Sequence, residues 1–349
     1  MQALISIALL WYLYQQMSKA SQKIVTLGGG TGHFSLLRGL VDSNEPELIS
    51  AITGTWDSGG SSGRLRVEMG VLPSGDTRQC LLALMEDDNQ RQVAQKLFNE
   101  RFKDVEGPLK GHALGNLIQS QLQLLYQGAD RGLDAARALF RVRAQIVPVS
   151  LDDLQLCAKT VEGNIIESET LIDTRGEKDK FNPKDKISRI YFDSTADANP
   201  KALETIAQAD KIILSAGDLY TSILPHLLVN GVSEAISSSK AKLIFVLNLM
   251  TKRGETDSFK ASDFLKSLIF YLGGVDRVDF IVANDNHIDP EIEKLYAKEG
   301  QKIVNIDEEE CKKLSPKAKI IKTPLAKYSP KEHLLRHDPE KLAKILLDL

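Results

Sequence analysis

Glycine clusters next to charged side chains are the features of this sequence that suggest chemistry. The first cluster, residues 28–32, follows the short apolar run of residues 23–27. Glycines let the backbone turn sharply and approach a ligand closely, and the free N–H groups at the start of a following helix attract anions. We therefore predict a phosphate-binding turn made by Gly28, Gly29, Gly30, Thr31 and Gly32.

The glycine spacing leaves the identity of the ligand open. Gly28, Gly30 and Gly32 give G-x-G-x-G, whereas the dinucleotide fingerprint is G-x-G-x-x-G, and His33 stands at the position of its last glycine. No Walker-type lysine follows the turn. A tight connection between strand and helix that binds no ligand is the alternative interpretation.

A second glycine-rich loop, residues 54–64, follows another apolar run and carries potential ligand-binding groups. Asp57 could hold a ribose or a metal ion, while Arg64 and Arg66 could pair with phosphate or carboxylate oxygens. A solvated Gly/Ser linker is the alternative. The ligand-binding residues predicted in this loop are Gly59, Gly60, Ser61, Ser62 and Arg64.

Further charged and polar residues follow in a largely helical part of the chain. Asp76 can cap a helix, but Arg78 in its first turn would oppose the helix dipole unless it faces an anion. His112 and Asn116 are spaced i, i+4 and share one face if that stretch is helical. We predict Asn116 as a ligand-binding residue, and the candidate catalytic residues are Asp57, Asp76, Arg78 and His112.

The elements that must position these side chains alternate between strands and helices. Apolar runs predict strands at residues 23–27, 48–53, 210–214, 242–248 and 278–284, with helices between them and a helical insertion over residues 87–140. Residues 163–173 are predicted as a further β element, which could form a hairpin with residues 144–149. The pattern predicts an α/β fold with a Rossmann-like, mostly parallel sheet and helices on both of its faces.

Polar residues also follow the later predicted strands. Because the carboxyl ends of parallel strands meet at one edge of a sheet, we expect these residues to share one anion-binding cleft with the first glycine turn. The ligand-binding residues predicted in these loops are Gly217, Asp218, Tyr220, Thr221, Ser222, Asn248 and Thr251.

Composition and the N-terminus limit the classes of partner. The 349 residues carry a formal net charge of −3 with both signs spread along the chain, which argues against a nucleic-acid partner. Three distant cysteines suggest neither a disulfide framework nor a zinc site, so a cytoplasmic location is expected.

The apolar run of residues 3–14 is too short for a comfortable membrane span. We expect residues 1–22 to be an extension. Either translation starts at Met17, or the apolar run forms a terminal helix docked on the protein. Residues 23–349 are expected to form one domain.

Seven motifs occur in order over residues 23–349 and begin at Gly28, Asp57, Gly75, Gly111, Gly217, Asn248 and Arg336. Together they resemble the motifs of the YvcK-type gluconeogenesis factors. These factors are similar to the CofD transferases, which move a phospholactyl group from a nucleoside diphosphate carrier to a deazaflavin.

The resemblance implies two functions from different classes. One is a regulatory protein that binds a UDP-sugar such as UDP-N-acetylglucosamine through Tyr296 and Arg336, and that supports cell shape and peptidoglycan synthesis during gluconeogenic growth. The other is a CofD-like 2-phospholactate transferase, for which Mg²⁺ is a possible cofactor. The resemblance establishes no reaction. The cofactor and the oligomeric state stay open, and the chain could form a homo-oligomer. A nicotinamide oxidoreductase is a third interpretation, for which the glycine fingerprint is imperfect.

Two departures from the family pattern affect the site. Ser58 stands where a second acid is expected after Asp57, which weakens any metal site built on that pair, and no metal ligands are predicted. Lys252-Arg253 replaces the commoner Gln-Pro before Gly254.

Overall fold

The computed structural model describes residues 22–177, 182–330 and 333–349. The predicted extension, with its apolar run and Met17, lies outside these ranges apart from Gln22. No helix in the described ranges is long and apolar enough to cross a membrane.

A seven-stranded sheet organises the fold. Its strands are β1 (Ile24–Gly28), β2 (Ile49–Thr53), β3 (Gln145–Pro148), β7 (Lys211–Leu214), β8 (Lys242–Val246), β9 (Phe280–Asn284) and β10 (Lys319–Thr323). All of their pairings are parallel, and their order in the sheet is β10-β9-β8-β7-β1-β2-β3.

Helices cover both faces of this sheet, as predicted. Side chains of successive strand residues point to opposite faces, so Val25 and Leu27 enter one core cluster and Ile24 enters the other. The helices are α1 (Gly30–Ser43), α2 (Gly60–Met69), α3 (Gly75–Ala83), α4 (Asp88–Asn99), α5 (Leu114–Leu125), α6 (Ala129–Leu139), α7 (Glu169–Asp173), α8 (Pro200–Ala207), α9 (Pro225–Leu228), α10 (Val232–Ser238), α11 (Ala261–Tyr271), α12 (Pro290–Lys298), α13 (Glu308–Leu314) and α14 (Pro339–Asp348).

Short single turns complete the helical elements. Two are 3₁₀ turns, Pro46–Leu48 and Arg175–Glu177, and one is a π-helical turn, Leu219–Ile223, in the loop after β7. The helices α4, α5 and α6 form the predicted insertion between β2 and β3.

The prediction for residues 163–173 is wrong in part. Only β5 (Ile165–Glu167) is extended, because Ser168 then caps α7 by accepting a hydrogen bond from the Leu171 N–H at 3.2 Å. Its partner is not the stretch around β3, which lies in the main sheet. Instead, β5 and β6 (Ile187–Phe192) flank β4 (Leu156–Thr160) in a separate antiparallel sheet.

A two-stranded hairpin follows the last strand of the main sheet. It consists of β11 (Ala326–Ser329) and β12 (Leu334–His337). Asn284, the last residue of β9, holds the start of the hairpin, because its Oδ1 accepts hydrogen bonds at 2.8 Å from the N–H groups of both Leu325 and Ala326. The hairpin is thereby fixed at the carboxyl edge of the main sheet.

Candidate functional site

A cleft of about 470 Å³ lies at the carboxyl ends of β1, β7 and β8. The chain runs from β1 toward one edge of the sheet and from β7 toward the other, so the cleft occupies the switch point where open α/β sheets bind ligands. Eleven of the predicted ligand-binding residues line it. They are Gly29, Gly30, Thr31, Gly32, Gly217, Asp218, Ser222, Asn248, Thr251, Tyr296 and Arg336.

The glycine turn forms the floor of the cleft and packs tightly against the loop after β7. A Cβ atom on Gly32 would lie 1.8 Å from the carbonyl oxygen of Ala216, so any side chain would push the two loops apart. Gly30 has φ +63°, a left-handed conformation that favours glycine. The turn therefore presents bare backbone at the start of α1, as a phosphate-binding loop requires.

The loops after β7 and β8 form one wall and carry polar atoms that a ligand could engage. Asn248 donates from Nδ2 to the Gly217 carbonyl at 2.8 Å, which joins the two loops. Across the described ranges, neither Asn248 Oδ1 nor His337 Nε2 has a hydrogen-bond partner, although both residues line the cleft. Burial lowers the pKa of His337 to about 4, so its ring is neutral at physiological pH. A ligand with hydrogen-bond donors would satisfy both atoms.

The β11–β12 hairpin and α12 form the opposite wall. The Tyr296 hydroxyl on α12 accepts a hydrogen bond from the Leu335 N–H at 2.7 Å, which ties the helix to the hairpin. Arg336, next along β12, lines the cleft. An aromatic ring and a guanidinium are thus held on rigid elements opposite the glycine turn, an arrangement suited to stacking and to pairing with phosphate.

Carboxylates gather behind the glycine turn. Asp76 Oδ1 accepts a hydrogen bond from the Gly30 N–H at 2.9 Å, and burial, together with nearby Asp57, raises the pKa of Asp76 to about 6. Burial also raises the pKa of Asp57. Glu169 on α7 accepts from the Ser58 N–H at 3.4 Å, and burial, with Asp57 and Asp173 nearby, raises its pKa to about 8. The second acid that the Asp57 loop lacks in sequence is therefore supplied by a distant helix.

This arrangement predicts that anion binding weakens as the pH rises. Asp76 becomes ionised above its folded-state pKa and would then repel a phosphate bound at the turn, so a bound phosphate favours the protonated form. In EDTA, the affinity for a nucleoside diphosphate sugar should fall about tenfold between about pH 5 and about pH 7. Asp76→Asn keeps an acceptor for the Gly30 N–H and should flatten this profile in isothermal titration calorimetry. An unchanged slope in the variant would show that Asp76 is not the titrating group.

Other predicted residues support the loops from behind the cleft. Ser61 Oγ lies 3.0 Å from His112 Nδ1, and Ser62 Oγ accepts from Asn116 Nδ2 at 3.2 Å. The condition under which His112 and Asn116 would share a helical face is not met, because α5 begins only at Leu114 and His112 lies in the preceding loop. Both residues nevertheless contact the start of α2.

The predicted arginines are held by protein groups. Arg64 donates to the carbonyls of Lys110 and Pro108 at 2.6 and 2.7 Å, so it fixes the loop before α5. Arg66 pairs with Asp153. Arg78 is buried, donates from Nη1 to the Phe98 carbonyl at 3.3 Å, and feels the charges of Asp57 and Asp76, which raise its pKa against the lowering effect of burial.

The remaining predicted residues do not line the cleft. Gly59 and Gly60 begin α2, whereas Tyr220 and Thr221 are buried in the π-helical turn and support it from within. Gly28 ends β1 beside Ser215.

Sequence reasoning missed three residues at or beside the cleft. Lys252 and His337 line the cleft, but the sequence marks Lys252 only as a departure from the family pattern and His337 only as the second residue of the motif that begins at Arg336. Glu169 lies in a stretch predicted as β structure. The available signal for Lys252 was its charge, which departs from the family pattern just before Gly254.

Comparison with known proteins gives a consistent family match. Residues 24–326 match the family described as 2-phospho-L-lactate transferase CofD. The chain is 36% identical to the gluconeogenesis factor of Halalkalibacterium halodurans over 94% of this chain and 96% of that protein. It is 34% identical to the gluconeogenesis factor of Bacillus subtilis over 94% of this chain and 98% of that protein.

A solved structure has the same fold. The crystal structure of a UPF0052 family protein from Bacillus halodurans aligns with a TM-score of 0.84 and 34% sequence identity, and covers 93% of this chain and 99% of that one. The Rossmann-like α/β fold expected from the sequence is confirmed.

Proposed function

Because the chain belongs to the CofD family and to its gluconeogenesis factors, we propose that it binds a UDP-sugar in the cleft and acts as a regulator without turning the ligand over. UDP-N-acetylglucosamine is the proposed ligand, and support of cell shape and peptidoglycan synthesis during gluconeogenic growth is the proposed role. The observation that carries this proposal is the cleft itself, which places a bare glycine turn opposite Tyr296 and Arg336.

The chemistry of the walls fits such a ligand. The glycine turn at the start of α1 suits the diphosphate, because backbone N–H groups and the helix dipole favour anions there. The unpartnered atoms of Asn248 and His337 are suited to hydroxyl or amide donors of the sugar or base. Nothing in this arrangement requires a bond of the ligand to break.

A 2-phospholactate transferase is the second candidate, and the acids behind the turn favour it. A transferase must stabilise charge on a leaving phosphate, commonly with Mg²⁺ held by carboxylate oxygens. Asp57, Asp76 and Glu169 provide such oxygens on three different elements. Their raised pKa values indicate that neutralising them would be favourable.

Turnover in solution separates these two candidates. The protein is incubated with UDP-N-acetylglucosamine, with a phospholactyl nucleotide in parallel, each in Mg²⁺ and in EDTA, and nucleotides are quantified by chromatography. We expect UDP-N-acetylglucosamine to remain intact and to bind with similar affinity in Mg²⁺ and EDTA, and Asp57→Asn to change that affinity by less than about tenfold, or roughly 1.4 kcal/mol. Magnesium-dependent release of nucleotide product that Asp57→Asn abolishes would establish the transferase instead.

A further inference from the structure

Lys252 lies in the wall of the cleft with its ammonium among three carboxylates. Its Nζ is 2.8 Å from both Asp218 Oδ2 and Glu255 Oε1, and it also contacts Asp173. Asp173 belongs to α7, Asp218 follows β7, and Glu255 follows β8. The Lys252 side chain thus joins α7 to the loops after β7 and β8.

The three carboxylates are spaced as a cation site. One oxygen from each of Asp173, Asp218 and Glu255 lies within 4.8 Å of the others, close enough to hold a metal ion. In this chain the ammonium stands among them, and a divalent ion in the same space would be repelled by it. Burial lowers the pKa of Lys252, but the three carboxylates raise it by more, so the ammonium stays charged.

The position of this charge matters for an anionic ligand. Asp218 lines the same cleft as the glycine turn, so its carboxylate would repel a diphosphate bound there. Lys252 also lines the cleft and offsets that repulsion.

We propose that Lys252 is an internal counter-ion that determines how the cleft accepts a diphosphate: its ammonium takes the place of a divalent cation among Asp173, Asp218 and Glu255. This inference rests on the proposed function, because it takes the ligand to be a nucleoside diphosphate sugar. It makes Lys252 a positioning residue that acts through these carboxylates. The protein then needs no divalent ion at this wall of the cleft.

The test compares K252Q with wild type by titration calorimetry with UDP-N-acetylglucosamine, in EDTA and in millimolar Mn²⁺. In EDTA, K252Q should lose at least about tenfold in affinity, and Mn²⁺ should restore most of it, whereas wild type should change by less than about threefold. R253Q is the matched control, since Arg253 is the adjacent cation and packs against Gly300 instead. It should behave as wild type.

The double variant D218N/K252Q keeps the test decisive if K252Q folds poorly. It removes one carboxylate and one ammonium together, so the net charge of the cluster is unchanged, and its affinity in EDTA should return to within about threefold of wild type. A K252Q protein that binds as wild type does would overturn the proposal. So would a loss that neither Mn²⁺ nor D218N relieves, because Lys252 would then contact the ligand directly.

A ligand-independent measurement separates this inference from the proposed function. Mn²⁺ alone is titrated and followed by electron paramagnetic resonance. K252Q should retain one more Mn²⁺ per chain than wild type, and D218N/K252Q should lose it. If wild type fails to bind the nucleotide sugar, the proposed function is wrong, and the number of bound Mn²⁺ ions alone decides the role of Lys252. Equal numbers in K252Q and wild type would refute that role.

Discussion

Gly32→Ala is expected to destabilise the protein strongly and to abolish ligand binding in the cleft. The new methyl carbon would lie 1.8 Å from the Ala216 carbonyl oxygen, which is backbone and cannot move aside as a flexible side chain could. This overlap can be removed only if the start of α1 moves away from the loop after β7. Overpacking of this kind costs about 3 kcal/mol, and here it also separates the glycine turn, which forms the floor of the cleft, from the loop after β7, which forms part of its wall.

Gly30→Ala is the matched control from the same turn. Among the described residues, no atom lies within 4 Å of a Cβ placed on Gly30, so the cost is confined to the left-handed backbone, about 1 kcal/mol. Urea unfolding followed by circular dichroism gives both values. Equal destabilisation by the two substitutions would mean that the contact between Gly32 and Ala216 does not hold the loops in place.

Arg336→Ala is expected to remove most of the stabilisation that UDP-N-acetylglucosamine gives. A ligand at about one hundred times its dissociation constant stabilises the folded state by about 2.7 kcal/mol. Losing a charged partner of the diphosphate costs about 2 kcal/mol, or roughly thirtyfold in affinity, so stabilisation at the same ligand concentration should fall below about 1 kcal/mol. The melting temperature with and without ligand measures this.

Lys327→Ala provides the comparison for Arg336. Lys327 is the residue opposite Arg336 in the β11–β12 ladder and carries the same charge. Its side chain is exposed, and its Nζ lies 3.6 Å from Asp338 Oδ2 rather than in the cleft. The variant should keep the full ligand-induced shift. If both variants lose it equally, the effect comes from the hairpin or the overall charge, and Arg336 has no particular role.

Much of the fold could be predicted because its signals are local. Residues 23–27 and 210–214 are short apolar runs that end in glycine-containing loops, and such runs are typical of buried parallel strands. Parallel strands bring their carboxyl ends to one edge, so the loops of Gly30, Gly217 and Asn248 could be placed together without knowledge of any contact. The shared cleft followed from topology.

The hairpin wall could not be predicted in the same way. Its position depends on Asn284 holding the backbone of Leu325 and Ala326, some forty residues later, and on Tyr296 holding Leu335. These are single hydrogen bonds between distant residues and leave no periodic pattern in the sequence. Only the family resemblance pointed to Tyr296 and Arg336.

The charges around the cleft were the least predictable part. Lys252 and Glu255 are close in sequence, but Asp173 and Asp218 come from other elements, and dense mixed charge usually indicates a solvated surface. Glu169 reaches Ser58 from a helix that was predicted as strand. The second carboxylate that the sequence lacks next to Asp57 is therefore supplied by Glu169, which is distant in the sequence.

The most direct test of the central claim is calorimetric titration of nucleotide-free protein with UDP-N-acetylglucosamine, GDP and NAD⁺ in parallel, in EDTA. The proposed function predicts saturable binding of UDP-N-acetylglucosamine at one site per chain, at least about tenfold tighter than the other two, and roughly thirtyfold weaker binding in Arg336→Ala. Binding of GDP or NAD⁺ with no heat from UDP-N-acetylglucosamine would contradict it.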